Sequence, residues 1–195
     1  MASTAPPAPR SPLRARIAPE GNRLRLIAAV AGAVVLLDAA TKVAATQLLS
    51  GHERIEILGG LVSFELYRNF AGPNDILPGH TVLISVFAIV AVAALAAVAT
   101  RVVSTAAALV VGLMLGGAIG NLLDRLLREP APLRGGVIDW LKLTDRSNSM
   151  NLADLAINAA VIVMVVAAVL AWWRGRQSGE SEPPDPAPGS PDAAS

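Results

Sequence analysis

Gly112-Leu-Met-Leu-Gly116-Gly-Ala-Ile-Gly120-Asn121-Leu-Leu-Asp124-Arg125 decides how this chain folds and where its chemistry lies. Gly112, Gly116 and Gly120 recur every four residues within an apolar run. On a helix they form one ridge of small residues, along which a neighbouring helix can approach closely. Asp124 is the next member of the row, and Asn121 lies three residues before it on the same arc. A packing ridge explains the glycines. It explains Asn and Asp together poorly, because each costs several kcal/mol to desolvate without a partner.

The surrounding composition is that of a membrane protein. The 195 residues are 53% hydrophobic, with a mean hydropathy of +0.54, above the apolar share of typical soluble domains. The excess is gathered into four runs, at about 24–49, 81–100, 105–123 and 153–173. Each is about the length needed to cross a hydrocarbon core. Runs this continuous satisfy their backbone in lipid as helices. The expected fold is therefore an all-α membrane protein with four transmembrane helices in one domain, residues 23–176.

Several functions drop out. Without Cys there is no disulfide, no thiolate nucleophile and no thiolate metal site. His52 and His80 flank the first connection and form no ligand pair, so neither a metal nor another cofactor is expected. A net charge of +1 without basic–aromatic clusters gives no nucleic-acid footprint. Residues 1–22 are rich in Pro, Ala and Arg, and 177–195 in Pro, Ser and acidic residues. Both are expected to be disordered tails. Arg-rich residues ahead of an apolar run resemble a secretory signal, but Asp38 and Lys42 interrupt the run and it resumes afterwards, so an uncleaved helix is expected. Arg10, Arg14, Arg16, Arg23 and Arg25 before span one, Arg101 between spans two and three, and Arg174 and Arg176 after span four favour cytoplasmic termini. The third connection carries Arg125, Arg128, Arg134, Lys142 and Arg146, which nearly balances the count. The first helix carries more weight, so the two longer connections are placed outside.

In the first of these, 50–80, Ile55-Glu-Ile57 and Leu61-Val-Ser-Phe64-Glu-Leu66-Tyr67 alternate with the period of strands around Gly59-Gly60. A small extracytoplasmic β-hairpin or cradle on the membrane surface fits that pattern. The second, 126–150, reads as irregular, broken by Pro130, Pro132 and Gly135-Gly136.

The polar residues inside or beside the spans are the candidates for chemistry, since ionisable groups there are costly and usually functional. Asp38, Thr41 and Lys42 sit at i, i+3 and i+4; a buried Asp–Lys pair neutralises itself and can tether or shape a site. Asn151, Asp154 and Asn158 share one face of the fourth run. Helix capping is the plain reading of Asn151, whereas Asp154 and Asn158 lie deeper and are expected to line a polar cavity. Asp124, next to Arg125, has the setting of an ionised structural group. Asp139 lies in the apolar string Gly136-Val-Ile-Asp139-Trp-Leu, read as a segment dipping into the interface, where low polarity raises a carboxyl pKa. If Asp139 and Asp154 meet, they can share one proton. One carboxylate would then act as base on a water while the other, protonated, polarises a carbonyl.

The ordered set Asp38-x-x-Thr41-Lys42, Arg68-Asn69, Gly116-Gly-Ala-Ile-Gly-Asn121-Leu-Leu-Asp124-Arg125, Gly136-Val-Ile-Asp139 and Asn151-Leu-Ala-Asp154 resembles lipoprotein signal peptidase, or signal peptidase II. It spans about 24–173, nearly everything outside the tails. The resemblance implies a four-helix aspartyl endopeptidase of the bacterial cell membrane, free of metal, with a β-cradle on the periplasmic side. It implies as substrates lipid-modified prolipoproteins, cut just before a cysteine that carries diacylglyceryl. It maps the catalytic pair onto Asp139 and Asp154, and supporting or substrate-binding positions onto Asp38, Lys42, Asn69, Asn121, Asp124, Arg125 and Asn151. Two features depart from the family pattern. Where the family continues Arg-Asn as x-Gly-Ala-Ala-Phe, this chain reads Arg68-Asn69-Phe-Ala-Gly-Pro-Asn-Asp75, and the connection from Asp124 to Asp139 is longer. Neither touches a carboxylate, and both bear on the shape of the cradle. Two other readings are a catalytically inactive relative that binds lipidated peptides and a small transporter. A transporter predicts polar groups through the full depth of the bundle, whereas here they gather toward one side.

Overall fold

The computed structural model describes residues 20–72, 77–144 and 147–179. The two expected tails lie outside the described residues, except that 20–22 open the first helix and 177–179 close the last. The chain runs α1 (Glu20–Leu49), β1 (Ile55–Ile57), β2 (Val62–Asn69), α2 (Thr81–Ala99), α3 (Thr105–Leu127), β3 (Val137–Lys142) and α4 (Leu152–Gly179). All four helices are long and apolar enough to cross a membrane, and they coincide with the four apolar runs.

Helix α3 is the centre of the bundle. In its most apolar stretch 44% of residues are buried, against 28% in α1 and 11% in both α2 and α4, because α3 packs on all three others. The glycine ridge makes this possible. A Cβ on Gly116 would sit 2.7 Å from Val34 Cβ and 2.8 Å from the Ala31 carbonyl oxygen, and one on Gly112 2.8 Å from Val30 Cβ. Gly117 turns toward α4 instead, where a Cβ would come 2.5 Å from the Ala153 carbonyl oxygen. Two helices thus close onto α3 at near-backbone contact. Ser104 starts α3 as its N-cap, its hydroxyl accepting from the Ala107 amide at 3.1 Å.

The strands form one antiparallel sheet of three, ordered β1-β2-β3. The first two are the hairpin expected in the first connection, turned through Gly59 and Gly60 at φ 68° and 87°, a region that favours glycine. The third is a correction: the second connection, read as irregular, supplies a strand. It pairs with β2 in the register Tyr67↔Asp139, Arg68↔Ile138 and Asn69↔Val137, with a bulge between Phe64 and Tyr67. Asp139 is therefore held on a ladder, not on a loose interfacial segment. The sheet lies at the end of the bundle where α1 and α3 finish and α2 and α4 begin.

Candidate active site

Eight of the nine candidate residues form one hydrogen-bonded network at that end of the bundle. Its first part is ionic. Lys42 Nζ, 1% exposed, lies 2.6 Å from Asp38 and 2.9 Å from Asp124, and donates to Asn121 Oδ1 at 3.1 Å. The glycine ridge explains the geometry: Gly120 leaves room for the Asp38 carboxylate, and Asp124, one turn further, meets the same lysine. Asp38 also reaches α4, accepting from the Ala153 amide at 3.0 Å. Asp124 accepts from the Ile138 amide at 3.1 Å and so fixes the start of β3.

The neighbour Arg125 is not the partner of Asp124 that adjacency suggested. Arg128 fills that role, its Nε donating to Asp124 Oδ1 one turn along the helix. In the sequence Arg128 stands out only as one charge of the third connection, although its i,i+4 spacing from Asp124 is the signal of this pair. Arg125 is 4% exposed, and its Nη1 has no hydrogen-bond partner among the described residues. It lies close enough to Asp139, Asp124 and Asp154 to feel all three charges.

The second part of the network joins Asp139 to Asp154. Asn151 Nδ2 donates to Asp139 Oδ1 at 2.7 Å and to Asn121 Oδ1 at 3.0 Å. Asn121 Nδ2 donates to Asp154 Oδ1 at 2.8 Å. Asn151 and Asp154 also cap α4 reciprocally. The Asp154 amide donates to Asn151 Oδ1 at 3.0 Å, and the Asn151 amide donates to Asp154 Oδ2 at 3.2 Å. This is a capping box built from Asn and Asp. It corrects the expectation that Asp154 lies too deep to cap. Asn158, expected on the same polar stripe, is exposed on the helix surface and outside the network.

On the other side of Asp139, Asn69 Nδ2 donates to Oδ2 at 3.1 Å. The Asn69 carboxamide is oriented by the Ala71 and Gly72 amides, which donate to its Oδ1 at 3.1 and 2.9 Å. The unusual Phe70 is accommodated by Gly136, where a Cβ would meet the Phe70 ring at 2.8 Å. Asn69 thus keeps its reach to Asp139 despite the altered sequence after it.

Asp139 is 1% exposed. Burial first, and the Asp154 charge second, push its carboxyl up to about 7, against the opposing hydrogen bonds from Asn69 and Asn151. Outside this centre, Glu65 on β2 accepts from Ser149 and pairs with Lys142 at 3.4 Å. Phe64 stacks on Trp140 with ring centroids 6.0 Å apart. The Ser149 contact ties the segment before α4 to the sheet, and the other two join β2 to β3. Among the described residues no group of three or more His, Cys, Asp or Glu is placed to hold a metal ion.

Residues 30–170 match the family model of signal peptidase (SPase) II. The chain belongs to the signal peptidase II family. Among its signal peptidase II relatives, the lipoprotein signal peptidase of Mycobacterium leprae is 36% identical over 148 residues, 76% of this chain and 73% of that protein. The Mycolicibacterium smegmatis protein is 35% identical over 83% of this chain and 71% of its own length. The Streptomyces coelicolor protein is 34% identical over 74% and 71%. A solved structure described as a bacterial membrane enzyme superposes with a TM-score of 0.65 at 20% identity, over 82% of this chain and 93% of that one. A second of the same description gives 0.62 at 22% identity. That level of identity speaks for the fold. Signal peptidase II membership and the four apolar helices make this chain a bacterial membrane peptidase.

Proposed function

We propose that the chain is an aspartyl endopeptidase that removes signal peptides from diacylglyceryl-modified prolipoproteins, with Asp139 and Asp154 as its catalytic residues. One observation carries the reading. A buried carboxyl from a strand and a half-buried one from a helix N-terminus are bridged by the single residue Asn151, whose side chain donates to the first and whose amide donates to the second. Such a pair resists double ionisation and retains one proton near neutrality.

The ionised member takes a proton from water as the water oxygen attacks the scissile carbonyl. The protonated member donates to that carbonyl oxygen as negative charge develops there. Collapse of the tetrahedral intermediate breaks the C–N bond, and the departing amine takes a proton from the pair. Asn69, Asn121 and Asn151 hold the carboxyls, while Lys42 holds the Asn121 carboxamide and Asp38 and Asp124 hold the starts of α4 and β3. Arg125, buried with Nη1 unsatisfied, is the donor available to the peptide backbone.

In this reading the site lies at the extracytoplasmic face with both termini in the cytoplasm, consistent with Arg23, Arg25, Arg101, Arg174 and Arg176 at the opposite end of the bundle. The cut falls immediately before the lipidated cysteine. The test is the pH dependence of kcat/KM on a diacylglyceryl-modified precursor, which reports groups of the free enzyme. Activity is expected to fall above about 7, as Asp139 loses its proton. A rate flat from mildly acidic to alkaline pH would remove the shared proton from the reading.

A further inference from the structure

A cleft of about 700 Å³ opens beside the start of α2, lined by Phe70, His80, Val82, Val86, Pro130 and Arg134 among others. None of the site carboxylates lines it, and it contributes nothing to the network around Asp139. Its volume falls within the usual range for small-molecule sites. The wall has two parts of different chemistry. Val82, Leu83 and Val86 belong to the first turns of a helix long enough to span a membrane, yet they are 40%, 44% and 43% exposed. That face looks onto acyl chains. Arg134 and Pro130 come from the connection between α3 and β3, beyond the end of the apolar helix α3. His80 and Thr81 lie between. Among the described lining residues Arg134 is the one charged side chain, so their contribution to the polar end of the cleft is positive.

A cationic rim above an apolar wall, open to lipid, has the shape and charge of an anionic phospholipid. We propose that this cleft binds one phospholipid with an anionic headgroup, the phosphate at Arg134 and His80 and the first part of an acyl chain along Val82, Leu83 and Val86. The lipid would also rest on Phe70, whose ring packs over Gly136 and whose carbonyl accepts from the Thr81 hydroxyl at 3.0 Å. Phe70 adjoins Asn69, which holds Asp139. The bound lipid therefore braces the segment on one side of the candidate catalytic pair, and the inference stands whether or not that pair is catalytic.

The test uses the full chain in mild detergent, incubated with phosphatidylglycerol or with phosphatidylcholine of the same acyl chains, and counts retained lipid by native mass spectrometry. One phosphatidylglycerol is expected to be retained in preference to phosphatidylcholine. Arg134→Glu is expected to weaken it by about fivefold or more, the scale of one basic residue at an anionic lipid surface. Val86→Trp, which fills the cleft without changing its charge, is expected to weaken both lipids. Arg101→Glu, at the other end of the bundle, should leave retention unchanged. Equal retention of the two lipids, or unchanged retention in both Arg134→Glu and Val86→Trp, overturns the proposal. So does stoichiometric displacement of phosphatidylglycerol by a lipidated precursor peptide, which would reassign the cleft to substrate.

Discussion

Replacing Lys42 by Met should separate what holds the bundle from what sets the catalytic geometry. The ammonium is the common partner of two carboxylates, at 2.6 and 2.9 Å, and it is 1% exposed. Methionine keeps most of the side-chain volume and removes the charge, leaving Asp38 with no ion-pair partner among the described residues and Asp124 paired only with Arg128. Removing one partner from a buried ion pair costs about 3–5 kcal/mol. For a chain of this size that lowers the melting temperature by roughly 6–20 °C. The chain has no cysteine and only three tryptophans, of which Trp140 stacks on Phe64 beside Asp139. With Trp172 and Trp173 replaced by Phe, intrinsic fluorescence during thermal unfolding in detergent reports on Trp140 alone. Adding Asp38→Asn to Lys42→Met removes the uncompensated charge while keeping the Oδ1 acceptor for the Ala153 amide, and part of the lost stability should return. Turnover should not return, because Lys42 Nζ also donates to Asn121 Oδ1, and that contact aims Asn121 Nδ2 at Asp154. A melting temperature for Lys42→Met within about 2 °C of wild type, under 1 kcal/mol on the same scale, would refute the reasoning.

Further outcomes follow from other contacts. Asn69→Ala removes a donor that favours ionised Asp139, so the alkaline limb of the pH–rate profile should move upward from about 7, with little change if Asn69 only shapes the loop. Asp139 has a folded pKa raised above its unfolded value, so its contribution to stability is full below the carboxylate range and is lost as pH rises through about 7. That loss is on the order of 4 kcal/mol. Melting temperature should accordingly fall between about pH 4 and 7, and an Asp139→Asn variant, measured by the same fluorescence scan, should lose most of that slope. Gly117→Ala forces a methyl against the Ala153 carbonyl oxygen and should cost about 1–3 kcal/mol in a denaturation series. Its activity loss should exceed its stability loss, because the displaced residue is next to Asp154.

The helices were legible in the sequence because a membrane span is a local property: twenty apolar residues announce themselves without reference to the rest of the chain. The glycine row was legible for the same reason, and it correctly pointed Asp124 into the interior. Strand β3 was not legible, since its partner β2 lies about seventy residues away and its flanking prolines and glycines read as loop. Asp154 shows the limit of periodicity alone. Its spacing from Asn151 is equally that of a polar stripe and of a capping box, and the exposed Asn158 decides for the second. Likewise Arg125 and Arg128 are both near Asp124 in sequence. Only the helix geometry makes the more distant one the ion-pair partner.

The reading rests finally on two carboxyls acting together, and the most direct measurement takes them one at a time. Purified Asp139→Asn and Asp154→Asn, each confirmed folded by its tryptophan melting curve, would be assayed for cleavage of a diacylglyceryl-modified precursor peptide. Each should lose at least about 100-fold in kcat, the lower end of what a positioned acid or base contributes, with precursor binding retained. Turnover close to wild type in either variant would contradict the assignment.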